Sequence, residues 1–149
     1  EETNGKVIIW AVYRYDIQEI ERTLGEKYGK ESVATYYGDT KDNLRQSIVD
    51  RFMDADDVLR FFVGNPKTGG YGLTLTSSHT VVYYSNDYSL EVRLQSEDRA
   101  HRIGQTSKVT YVDLMADHTI DERIVKALNA KIDLASQVMG EDPKKILFG

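Results

Sequence analysis

The sequence predicts an α/β fold: a mostly parallel central sheet, helices on both of its faces, and a long C-terminal helix. Three observations carry this. Strand-like and helix-like segments alternate through the first two-thirds of the chain, the order that parallel strands joined by crossover helices produce. The first strand-like run is apolar at nearly every position, as a strand covered on both faces must be. The last third repeats apolar residues at steps of three and four.

Taken in order, Lys6-Val7-Ile8-Ile9-Trp10-Ala11-Val12-Tyr13 is β-branched and aromatic and reads as a buried strand. Asp16 can cap a helix in which Ile17, Ile20 and Leu24 recur until Gly29. Ser32 to Tyr37 is a second strand. Thr40 opens a second helix carrying Leu44, Ile48 and Phe52. Val58 to Val63 is a third strand, closed by Gly64-Asn65-Pro66. A glycine-rich loop, Thr68-Gly69-Gly70-Tyr71-Gly72, leads into a short helix at Leu73 and Leu75. Thr80 to Tyr84 is a fourth strand, Leu90 to His101 a polar helix, and Val109 to Leu114 a fifth strand. Ile120, Ile124, Leu128, Ile132 and Ala135 form the stripe of the last helix, which Gly140 and Pro143 stop.

With 149 residues, the chain fits one domain over 1–149, with 140–149 as a tail or the start of a connection. Its 40% hydrophobic and 29% charged residues suit a packed core under a charged surface rather than disorder. No apolar run approaches the roughly 20 residues that span a bilayer, so no membrane partner is expected. The absence of cysteine excludes disulfides, a thiolate zinc site and a cysteine nucleophile, and fits a reducing compartment. Acidic residues number 24 against 19 basic ones, a net charge of −5, which disfavours stand-alone nucleic-acid binding but leaves room for a local basic patch. A start at Glu1 suggests a piece of something longer, or a processed product.

The stretch that carries chemistry is Gln95-Ser96-Glu97-Asp98-Arg99-Ala100-His101-Arg102-Ile103-Gly104-Gln105. Gln95, Arg99 and Arg102 stand at i, i+4 and i+7, which one helical face would present together. Two guanidiniums and a carboxamide so placed can clamp a phosphoryl group, because the planar fork of Arg matches phosphate oxygens. Spacing alone favours the plainer reading, a solvated helix with Asp98 and Arg102 as an i,i+4 pair.

QSEDRAHRIGQ resembles motif VI of the Swi/Snf-type DNA translocases of helicase superfamily 2, Q-x-x-D-R-x-x-R-x-G-Q, at every fixed position. Lys67-Thr68-Gly69-Gly70-Tyr71-Gly72-Leu73-Thr74-Leu75 resembles motif V, K-A-G-G-x-G-x-N-L. Gly38 through Phe52 is similar to the block G-x-x-x-x-x-x-R-Q-x-x-I-x-x-F, and KVIIWAVYRYDIQEI occupies the place of motif IV. Thr119-Ile120-Asp121-Glu122 resembles the T-I-D-E stretch after motif VI. The resemblance runs over roughly residues 5 to 139, in the family's order. Departures are Thr68 for Ala, Thr74 for Asn, Tyr88 for Trp and Leu90 for Pro.

The family resemblance implies a RecA-like, P-loop-NTPase-type lobe, and specifically the second of two. Gly64-Asn65-Pro66-Lys67-Thr68-Gly69 has the spacing of a phosphate loop but is followed by Gly70-Tyr71, not Lys and Ser/Thr. Asp121-Glu122-Arg123-Ile124 is not a D-E-x-H motif. ATP and its Mg2+ would therefore be held mainly by an N-terminal RecA-like lobe of the same protein, outside this chain, and this chain alone would hydrolyse no ATP.

By the same resemblance, Arg99 and Arg102 act as arginine fingers, and Gln95 holds the nucleotide or the attacking water. Gly70 and Gly72 let the backbone approach nucleotide or the facing lobe; the alternative is an ordinary glycine turn. Lys67, Thr68 and Gly69 lie in a loop that touches the DNA backbone, against a solvated loop lysine. Arg14, Lys41, Arg45 and Gln46 add phosphate contacts, although each singly reads as a surface residue. Asp87 caps the turn after the fourth strand or orients the arginines, and Asp98 holds Arg102. No metal spacing supports His79 or His101, and Tyr83 and Tyr84 read as core and sheet surface.

The implied function is an ATP-dependent double-stranded DNA translocase or helicase, cytoplasmic, or nuclear in a eukaryote. A non-catalytic RecA-like interaction module is the alternative. An RNA helicase lobe of the DEAD-box kind is a third, disfavoured by Asp98 before Arg99 and by the Gly104-Gln105 ending.

Overall fold

A computed structural model of the chain describes residues 5–68 and 73–140. Its five strands are β1 (Lys6–Trp10), β2 (Val33–Tyr36), β3 (Phe61–Gly64), β4 (Ser78–Tyr83) and β5 (Thr110–Asp113). They form one sheet in the order β2-β3-β1-β4-β5, with every pair parallel. Parallel neighbours need crossovers. The helices supply them: α1 (Arg14–Tyr28), α2 (Asp42–Met53) and α3 (Leu90–Asp98), followed by α4 (Ile120–Met139).

Period-2 alternation divides the core between the two faces of the sheet. Val7, Val33, Phe61 and Val63 pack with Ile17 of α1 on one face. Ile8, Trp10, Phe62, Val81 and Tyr83 pack with Phe52 of α2 and with Leu73, Leu75 and Ala100 on the other. Phe62 is the hub of an aromatic cluster, its ring centroid 6.0 Å from Trp10, 5.3 Å from Tyr36 and 5.4 Å from Phe52. Such pairs contribute about 0.5–1.5 kcal/mol each beyond burial. Gly64 is obligatory at the end of β3: a Cβ there would lie 2.8 Å from the Tyr36 carbonyl oxygen and 3.0 Å from the Trp10 ring.

Several sequence expectations are corrected at element ends. α1 starts at Arg14 with Tyr13 as N-cap and no side-chain bond, so Asp16 lies in the first turn and is not the cap. α2 has Lys41 as N-cap. Thr40 instead closes the preceding turn, its hydroxyl accepting from the Tyr37 amide at 3.0 Å and donating to the Thr35 carbonyl at 3.1 Å. β3 begins at Phe61, because Val58 is 62% exposed and outside the ladder. No helix forms at Leu73 and Leu75: both side chains are buried two residues apart, the period of extended chain rather than of a helix.

α4 ends as the sequence implies, at Gly140 with φ +67, whose amide bonds the Ser136 carbonyl. Glu122 stands three residues after the N-cap Thr119 and accepts from the amide of His118, just before the N-cap, at 3.2 Å, while Thr119 makes no side-chain cap bond. The apolar stripe of α4 is only partly packing, however. Ile124 and Leu128 are buried, whereas Ile120, at the head of the stripe, is 62% exposed. Among the described residues no helix is long and apolar enough to cross a membrane.

Candidate functional site

The turn after α3 is stapled to the segment that runs from Leu73 into β4. α3 stops at Asp98, so Arg102 is not on its face, and the expected helical surface of Gln95, Arg99 and Arg102 does not exist past that point. The reason is a tightening at the helix end. The Arg99 and Ala100 amides bond the Ser96 and Glu97 carbonyls three residues back, at 3.4 and 3.3 Å. The Arg99 carbonyl then accepts from the Leu75 amide at 2.8 Å. Gly104, at φ +101, reverses the chain. The Gln105 carboxamide nitrogen reaches three carbonyls, of Ala100 at 2.9 Å and of Thr76 and Ser78 at 3.1 Å each.

Within this staple the two arginines differ. Arg99 is 4% exposed and buried against the lobe. Arg102 is half-buried, with its Nη1 donating to the Leu73 carbonyl at 3.1 Å and the Thr74 hydroxyl at 3.2 Å. Its Nε lies 3.7 Å from Asp98 Oδ2, so the expected hold of Asp98 on Arg102 is present. Among the described residues Arg102 Nη2 has no hydrogen-bond partner. Gln95, half-buried, donates to Glu91 Oε1 at 3.1 Å on its own helix.

α3 is seated by a network that sequence reasoning missed. The Arg93 guanidinium spans both carboxylate oxygens of Asp113, meets Asn86 Oδ1 at 2.9 Å and Glu97 Oε1 at 3.1 Å, and lies 3.6 Å over the Tyr83 ring. The Tyr83 hydroxyl pairs with Ser96 Oγ at 2.7 Å, and Tyr111 donates to the Glu97 carbonyl at 3.1 Å. Burial opposes the charge on Arg93, but the hydrogen bonds to Asp113 and the surrounding negative groups outweigh it and hold its pKa above the usual value. Burial pushes the Tyr83 and Tyr111 phenols upward as well. The one signal in the sequence is Arg93 and Glu97 at i,i+4 beside the buried Leu94, together with a carboxylate inside strand β5.

At the C-terminal end of β3, where ligands of parallel sheets gather, Asn65 builds the turn. Its Oδ1 accepts from the Lys67 amide at 2.8 Å, and its Nδ2 donates to the Val12 carbonyl at 3.0 Å. The Thr68 amide bonds the Asn65 carbonyl at 3.0 Å. Lys67 Nζ sits 3.0 Å from Asp87 Oδ2. Asp87 also caps the turn after β4, as one of its two sequence readings has it: its Oδ1 accepts from the Ser89 amide at 2.8 Å. Ser89 in turn N-caps α3, and Leu90 takes the first helical position, where the proline of the family pattern is tolerated.

The remaining candidates scatter. Arg14 pairs with Asp39 at 2.9 Å on the surface. Arg45 faces its own lobe, donating to the Thr40 and Tyr37 carbonyls at 3.2 and 3.3 Å and lying 5.5 Å over the Tyr36 ring. Gln46 bonds Asp50 at 2.8 Å, and Lys41 is exposed. Gly69, Gly70 and Gly72 lie outside the described residues. His79 and His101 are exposed, and no group of three metal-ligating side chains occurs among the described residues.

Residues 1–104 match the family described as helicase conserved C-terminal domain. The chain is 32% identical over 148 residues to the ATP-dependent helicase fft2 of Schizosaccharomyces pombe, covering 98% of this chain and 11% of that protein. It is 34% identical over 112 residues to the chromatin-remodeling ATPase INO80 of Homo sapiens, covering 75% of this chain and 7% of that protein. Its fold matches the crystal structure of the C-terminal part of the Fun30 ATPase domain with a TM-score of 0.75 at 27% identity, over 83% of this chain and 39% of that one. The chain thus spans about a tenth of the length of the curated relatives it matches.

Proposed function

Because the chain belongs to the helicase conserved C-terminal domain family, on its Swi/Snf-type branch and with the RecA-like fold of that branch, we propose that it serves as the second lobe of an ATP-dependent double-stranded DNA translocase or helicase. ATP is the substrate, bound between this lobe and a first one that carries the phosphate loop. Magnesium would accompany the ATP phosphates, held mainly by that first lobe. Lys67 contacts DNA phosphates and reads no base edges. Work on DNA places the parent in the nucleus of a eukaryote or the cytoplasm of a prokaryote.

The observation that carries this reading is Arg102, half-exposed and fixed through Nη1 while Nη2 has no partner among the described residues. A guanidinium so held stabilises charge on a transferring phosphoryl group without reorganising. Arg99 reaches the same phosphate only if the turn that buries it opens. The test is DNA-stimulated ATP hydrolysis by the two-lobed protein. Arg102→Ala lowers turnover by about 10³-fold or more, Arg102→Lys recovers little of it, and this chain alone turns over none. Unchanged turnover in Arg102→Ala removes the arginine-finger role.

The burial of Arg99 favours one rival, a RecA-like lobe that serves only as an interaction module. A two-lobed parent with no ATPase, with or without duplex DNA, would establish the rival.

A further inference from the structure

We propose that Asp87 restrains Lys67 in the DNA-free lobe: it holds the Lys67 ammonium until a backbone phosphate of duplex DNA takes the ammonium over, so the ion pair competes with DNA. This rests on the reading above that Lys67 faces DNA.

The geometry divides the work of one carboxylate. Asp87 Oδ1 is committed locally, accepting from the Ser89 amide at 2.8 Å, while Oδ2 reaches 20 residues back along the chain to Lys67 Nζ at 3.0 Å. The Lys67 backbone is itself fixed, through the two bonds of the Asn65 side chain to the Lys67 amide and the Val12 carbonyl. Only the lysine side chain is at liberty to move, and it is 62% exposed against 24% for Asp87. An ion pair this exposed changes an equilibrium by no more than about fivefold. A duplex phosphate, which also releases counterions, competes with it readily. The carboxylate left behind stands just before α3, where the helix dipole favours negative charge.

Asp87→Asn separates the two roles, because the amide keeps an oxygen for the Ser89 amide and puts a nitrogen, which accepts nothing, against Lys67. The experiment uses the two-lobed protein and a fluorescently labelled blunt duplex of mixed sequence. Asp87→Asn lowers the Kd for the duplex, and the duplex concentration that half-saturates ATPase stimulation, by about two- to fivefold. Loss of fold cannot tighten binding, so a gain is not a structural artefact. In a Lys67→Ala background the gain disappears. An Asp87→Asn protein that binds the duplex as wild type or more weakly overturns the proposal. So does a gain that survives Lys67→Ala, which would be a general charge effect. Wild type that binds duplex, with no shift in the variant, removes this inference alone; wild type that binds no duplex removes the proposed function and this inference with it.

Discussion

The Arg102 guanidinium donates to the Thr74 hydroxyl at 3.2 Å, so the residue at the family's asparagine position helps to hold the second arginine of motif VI. Extended chain explains how. Leu73 and Leu75 point into the core, and alternation turns Thr74 outward to meet Arg102.

Thr74→Val keeps the shape and deletes the acceptor. We expect it to lower stability by about 0.5–1.5 kcal/mol in urea unfolding followed by circular dichroism. Thr74→Asn, which offers a carbonyl oxygen instead, stays nearer to wild type. Equal values for the two variants would show that the Arg102 contact contributes nothing.

Gln105 is the second fastening. Its nitrogen serves three carbonyls from two separate segments, and a carboxylate placed there would face those oxygens with no proton to give. Gln105→Glu should therefore cost more than Gln105→Met, each on the order of 1–3 kcal/mol. Faster hydrogen exchange at the Leu75 amide should accompany the loss, since that amide bonds the Arg99 carbonyl within the same staple. Unaltered exchange there would show that the segments stay joined without Gln105.

Arg93 and Asp113 form a partly buried pair, their side chains 10% and 23% exposed, with an aromatic face beneath it. Removing one partner leaves Asp113 underserved but still touched by solvent, so Arg93→Met should destabilise by about 1–3 kcal/mol. Arg93→Lys should rescue only part, because an ammonium cannot span both carboxylate oxygens. A double variant, Arg93→Met with Asp113→Leu, should regain much of the loss. A cost below about 1 kcal/mol for Arg93→Met would be incompatible with a seat for α3 built on this pair.

Acid stability depends in part on Asp57. The hydrogen bond from the Arg51 guanidinium, and then that from the Leu59 amide, hold its carboxyl below the ordinary value. The folded state thus binds this proton less tightly than the unfolded chain. The contribution is complete above the unfolded pKa, about 3.9, and is lost as pH falls through the lower folded value. Asp57→Asn should accordingly be less stable than wild type at neutral pH, with the difference narrowing in acid melts below about pH 4. A difference constant with pH would rule this out.

What the sequence by itself determined is the set of elements and the family. Runs such as Lys6–Trp10 are apolar because both faces of a parallel strand are covered, and that requirement is local enough to be written in consecutive residues. The motif VI string was legible for the same reason. Tertiary structure decided which of its side chains face outward. Arg99 is buried and Arg102 half-exposed because α3 ends at Asp98, and the turn beyond it is set by Leu75, Thr76 and Ser78, which arrive from a distant part of the chain. Arg93 with Asp113, and Lys67 with Asp87, are likewise pairs across 20 residues, made only when the strand order of the sheet brings separate elements together, with β1 standing between β3 and β4 in the second case. Spacing along a chain encodes contacts one helical turn or one strand pleat apart; contacts between elements depend on strand order, which no local pattern specifies.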